Sequence, residues 1–137
     1  MKTWAYEIDS THKDFERYNN SQENMYKKLK EAYYSIAEDL GLALIPSGDL
    51  VQELRSDNLF DYGHGGLSLC RDGYHMNLIY GRYLIGALWY KFFFGKSIIE
   101  NKFTFNDEEG IDDNIINKIK CFIDNKYESI PSINTIS

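Results

Sequence analysis

Leu42-Ala43-Leu44-Ile45-Pro46 is a continuous apolar run about as long as one β-strand, closed by a proline. It shows no polar alternation, as expected for a strand covered on both faces in a parallel sheet. The residues before it read as a helix. Ser21 offers a capping hydroxyl, and Met25, Leu29, Ala32, Tyr33, Ile36, Ala37 and Leu40 recur at helical spacing. Gly41 follows at once and can take the left-handed conformation on which helices commonly end. Residues 3–8, with Trp4 and Tyr6 on one face, read as a strand ahead of a polar loop over 9–20. Strand, helix and buried strand make a βαβ unit. The pattern predicts an α/β fold.

Further along, 49–57 reads as a short helix. Residues 58–75, with Gly63, Gly65, Gly66 and Gly73, read as a loop. Asn77 can cap an apolar helix over 78–94, which Gly95 stops. An apolar tether over 98–105 leads to a weaker helix over 111–127. Two parallel strands and three helices do not close a layered α/β domain. The prediction is therefore the C-terminal part of a larger doubly wound domain whose N-terminal strands are missing.

Composition narrows the function. A net charge of −6 without a basic stripe argues against a nucleic-acid binder. The longest apolar run, 84–94, is broken by Gly86 and Lys91 and is too short to span a membrane. With no apolar leader after Met1, the predicted location is cytoplasmic, unless the true start lies upstream. Cys70 and Cys121 show neither metal-ligand spacing nor a disulfide framework. The aromatic stretch Trp89-Tyr90-Lys91-Phe92-Phe93-Phe94 reads as a core helix. Left uncovered, part of that surface would drive self-association.

The chemistry concentrates in Cys70-Arg71-Asp72-Gly73-Tyr74-His75. An Asp and a His three residues apart on a glycine-containing turn can meet side chain to side chain. The carboxylate then fixes the imidazole tautomer and leaves the other ring nitrogen free as a base. The bland reading is an Asp-Gly turn with an incidental histidine. His64, Cys70, Asp72 and His75 suit zinc by residue type but not by spacing, so no metal and no cofactor is predicted. His12 could line the same cleft but reads more simply as a solvated loop residue. Arg71 could orient a polar substrate but reads more simply as a surface ion-pair partner. Ser68 lacks the strand-to-helix turn that activates a nucleophile. The acidic residues Asp107, Glu108, Glu109, Asp112 and Asp113 lack calcium-loop spacing and read as a solvated helix start.

The order Trp4-Ala5-Tyr6, Met25-Tyr26, Ile45-Pro46-x-Gly48, Arg71-Asp72-Gly73-Tyr74-His75, Gly81-Arg82-Tyr83-Leu84, Trp89-Tyr90 and Gly95-Lys96 resembles the C-terminal half of the SGNH/GDSL-type hydrolases. It is most similar to a bacterial branch and covers roughly residues 3–97. The resemblance implies a flavodoxin-like three-layer α/β/α fold. It also implies hydrolysis of small-molecule esters, often carbohydrate acetyl esters, with Asp72 and His75 as the acid and base of a triad. It divides the chain into a hydrolase-like portion over 1–97 and a C-terminal extension over 98–137 with one helix. The family's Gly-Asp-Ser nucleophile turn and its oxyanion Gly and Asn blocks have no counterpart here. Ser47-Gly48-Asp49-Leu50 carries similar letters in another order. Without those groups the isolated chain is expected to show essentially no ester turnover. The alternative is a non-catalytic remnant or small interaction protein, pairing with itself or with a separate chain that carries the missing strands.

Overall fold

The computed structural model describes residues 3–103, 105 and 110–127. Four helices carry the structure: α1 (Gln22–Asp39), α2 (Ser47–Leu54), α3 (Tyr80–Phe94) and α4 (Asp113–Lys126). Short 3-10 turns at Lys13–Tyr18 and Tyr62–His64 shape the loops between them.

The helix ends follow from their capping residues. Ser21 Oγ accepts the Asn24 amide at 3.2 Å and starts α1, and Gly41 follows its end with φ +60°. Asn77 Oδ1 accepts the amides of Ile79 and Gly81 ahead of α3, which ends on Gly95 at φ +61°. Asp112 Oδ1 accepts the Asn114 amide and starts α4. α2 begins at Ser47, two residues earlier than the sequence pattern suggests, directly after Pro46.

α3 is the central element. It packs most extensively on α4, whose Ile116, Ile119 and Ile123 lie on one face by their three- and four-residue spacing. Leu84 and Leu88 of α3 are wholly buried with Leu50, Val51, Phe60, Leu69, Ile119 and Ile123. Each such side chain contributes about 1.5–3 kcal/mol of burial. The one lysine on that face, Lys91, is buried but bonds Asp124 at 3.1 Å. A smaller cluster of Ala5, Phe15 and Met25 joins the N-terminal segment to α1. Asp49 ties α1 to α2 by accepting the Tyr26 and Tyr34 hydroxyls at 2.9 and 3.1 Å.

The α/β expectation is corrected. The described residues are helical and contain no β-ladder. Their one strand-type pairing is an isolated antiparallel bridge between Cys70 and Met76. A flavodoxin-like three-layer arrangement, and the strands expected at 3–8 and 42–46, are therefore absent among the described residues. The physical reason lies in the backbone partners. Residues 3–7 carry no secondary-structure assignment, and side chains take up their peptide groups: Arg55 Nη1 donates to Ala5 O at 2.9 Å, Gln22 Nε2 donates to Tyr6 O at 2.9 Å, and the Tyr6 amide meets Met25 Sδ. Ile45 enters the core while Leu42 stays half exposed, so the apolar run packs against helices without being covered on two faces. Residues 113–126 form α4, which packs on α3. Asp107, Glu108 and Glu109 lie outside the described residues. Among the described residues, no helix is long and apolar enough to cross a membrane.

Candidate acid–base site

The site turn is built where the N-terminal segment meets residues 70–76. The Arg71 amide donates to His75 O at 2.9 Å and closes the turn beside the Cys70–Met76 bridge. Gly73 sits at φ +86°, and a Cβ there would lie 2.9 Å from Ser10 Cα. Only glycine meets both demands without strain. The Glu7 amide donates to Gly73 O at 2.7 Å, and Trp4 Nε1 donates to Tyr74 O at 2.8 Å.

Asp72 and His75 come together as expected. His75 Nδ1 lies 2.8 Å from Asp72 Oδ2, while Asp72 Oδ1 accepts the amides of His75 at 2.8 Å and Tyr74 at 3.2 Å. The His75 contact, helped by those two amides, holds the Asp72 carboxyl down at about 2. The carboxylate is thus ionised throughout the neutral range. Nδ1 of His75 carries the shared proton, which leaves Nε2 as the lone-pair nitrogen. The His75 side chain is 56% exposed.

The turn rests on a buried polar support that sequence reasoning missed. Glu7 and Arg55 are both buried, with Arg55 Nη2 3.4 Å from Glu7 Oε2. Gln22 Nε2 donates to Glu7 Oε1 at 2.8 Å, and Ser68 Oγ donates to Glu7 Oε2 at 2.9 Å. Ser68 Oγ in turn accepts the Cys70 amide at 3.0 Å. Ser68 is therefore engaged in holding the turn. It bonds to Glu7 and not to His75, so His75 is not placed to activate it. A buried Glu and a buried Arg 48 residues apart leave no local spacing signal, which is why the pair was not legible.

A polar cleft of about 150 Å³ opens beside Asp72, lined by Asp9, Thr11, Tyr62, Ser68, Cys70, Arg71 and Gly73 as well. Burial pushes the Cys70 thiol up to about 11 against the opposing pull of Arg55, so it stays protonated and unreactive. Arg71 Nε approaches Asp72 Oδ2 at 3.8 Å, as a surface ion pair. His12 does not join Asp72. Its Nδ1 accepts the Asp14 amide at 3.2 Å, and its ring packs against Tyr74. His64, Cys70, Asp72 and His75 do not converge, and among the described residues no three His, Cys, Asp or Glu side chains form a group able to hold a metal.

A second Asp–His contact lies outside this turn. His64 Nδ1 lies 2.8 Å from Asp61 Oδ2 on the Tyr62–His64 turn. The spacing that marks Asp72 and His75 is present there too, as Asp61-Tyr62-Gly63-His64, and could have been noticed.

Comparison with known proteins gives the chain a family. A structure of a DUF4886 family protein from Bacteroides uniformis ATCC 8492, solved at 1.50 Å, is similar to it with 29% identity and a TM-score of 0.78. The similarity covers 93% of this chain but 46% of that one, so the chain spans less than half the length of the solved protein. No curated protein matches. The domain of unknown function DUF4886 matches residues 1–120. These findings replace the SGNH-type α/β hydrolase description with a helical domain of a different family label. The chain belongs to the DUF4886 family.

Proposed function

We propose that Asp72 and His75 form the acid–base pair of an ester-hydrolysing site. His75 Nε2 takes a proton from an attacking hydroxyl or water, and the leaving alcohol takes that proton back from the imidazolium. Asp72 accepts from Nδ1, stays ionised and stabilises the imidazolium while it exists. The observation that carries this reading is the 2.8 Å contact between Asp72 Oδ2 and Nδ1 of His75, whose side chain is 56% exposed. Among the described residues no serine bonds to His75, so the nucleophile of a full triad would come from outside them.

An activated acetate ester tests the base without a serine, because imidazole itself promotes its cleavage. 4-Nitrophenolate release is expected to scale with chain concentration and to fall about tenfold or more in His75→Ala, the lower end of what a positioned base provides. His64→Ala should leave most of it in place. Equal rates in wild type and His75→Ala would overturn the proposal.

A second reading is favoured by the helix ends. Ile36 and Leu40 of α1 and its cap are 56% and 65% exposed, and Phe93 and Phe94 of α3 are 61% and 65% exposed. Uncovered apolar side chains of this size support self-association or pairing with another chain. Concentration-dependent mass in sedimentation equilibrium, lost in a Phe93→Ser/Phe94→Ser variant, is the expected signature.

A further inference from the structure

We infer that Tyr74 is a positioning residue that holds the rings of His75 and His12, both packed against it, in opposite tautomers. For His75 this rests on the acid–base reading above. A hydrogen bond at Nδ1 of an exposed imidazole competes with water and is worth little net, so it does not hold the ring by itself. His75 is too exposed for burial to fix the rest. The second constraint comes from Tyr74, whose ring centroid lies 4.3 Å from that of His75 at an interplanar angle of 45°.

Tyr74 can serve because it is itself held at three points. Its amide donates to Asp72 Oδ1, its carbonyl accepts from Trp4 Nε1, and Tyr6 and His12 press on its ring at 5.7 and 4.8 Å. The two histidines face it with different partners. Asp72 accepts from His75 Nδ1, which therefore carries hydrogen, and the same carboxylate oxygen lies 3.8 Å from Arg71 Nε. His12 Nδ1 accepts the Asp14 amide, so its hydrogen is on Nε2, with the Asp14 carboxylate 3.9 Å away. His64 provides an internal reference. It has the same 2.8 Å carboxylate contact as His75 but no aromatic ring against it among the described residues.

Long-range 1H–15N correlation of the imidazole rings, recorded where they are neutral, reads each tautomer separately. Wild-type His75 should show the Nδ1–H pattern and His12 the Nε2–H pattern, with His64 nearer the usual mixture. Tyr74→Leu should move His75 toward the His64 pattern, and Tyr74→Phe should keep the wild-type one. His75 and His64 giving the same pattern in the wild type would overturn the inference without any variant. So would a Tyr74→Leu spectrum unchanged at His75. Neither readout depends on ester cleavage, so failure of the His75→Ala assay would remove the acid–base reading and leave the placement of the rings standing.

Discussion

Two Asp-x-x-His turns in this chain make the same side-chain contact and stand on different ground. His64 Nδ1 to Asp61 Oδ2 and His75 Nδ1 to Asp72 Oδ2 both measure 2.8 Å. Among the described residues, the Asp61 carboxylate has His64 alone, whereas that of Asp72 also takes two backbone amides. The His64 side chain is 86% exposed on a single 3-10 turn. The turn at Asp72 is tied to the N-terminal segment through Gly73 O and Tyr74 O, and Glu7 and Arg55 lie buried behind it. Asp and His at this spacing on a tight turn meet easily. What separates a candidate site from a surface pair is therefore the anchoring of the turn, not the contact.

The anchoring can be broken directly. Glu7→Ala would leave Arg55 buried without its carboxylate, a change that costs about 3–5 kcal/mol in comparable pairs. Urea unfolding should show that loss, whereas Asp9→Ala, which frees the Tyr62 hydroxyl on the other turn, should cost about 1 kcal/mol or less because that bond is exposed. Similar losses in the two variants would mean that the two turns are equally supported. The glycines give a finer comparison, since Asp72-Gly73-Tyr74-His75 and Asp61-Tyr62-Gly63-His64 carry them at different steps. Gly73→Ala meets a positive φ and the Ser10 backbone and is expected to cost about 2 kcal/mol. Gly63→Ala places its Cβ 3.0 Å from the mobile end of Ile8, and should stay within about 1 kcal/mol.

Much of this was legible in local sequence, and what was not is long-range. The cap at Ser21, the stops at Gly41 and Gly95 and the Asp72–His75 contact all depend on neighbours within a few residues, and all form. The apolar run 42–46 and the segment at Trp4 read as strands because the sequence favours extended backbone there. A strand also needs a ladder partner, and periodicity cannot supply one. Here the peptide groups of 5–7 are claimed by Arg55, Gln22 and Gly73 from elsewhere in the chain. The Glu7–Arg55 pair was hidden for the same reason. No local pattern marks Tyr74, because its ring contact with His12 depends on a fold that joins residues 62 apart.

The smallest expected effect, and the one most specific to the anchored turn, is in its acid response. The folded Asp72 carboxyl is held at about 2, chiefly by His75, against about 3.9 in an unfolded chain. A carboxyl depressed on folding adds stability that is fully present above the unfolded value and is lost as pH falls through the folded one. The stability difference between wild type and Asp72→Asn should therefore be level above about pH 4 and shrink between about pH 4 and 2. Because the carboxylate is solvent-exposed, screening keeps that difference small, and added salt should reduce it further. Repeating the comparison in a His75→Ala background isolates the pair, since the main cause of the shift is then gone and the pH-dependent part should contract. If it persists in full, the two backbone amides hold the carboxylate by themselves, and the imidazole at the anchored turn is bound no more firmly than the one at Asp61.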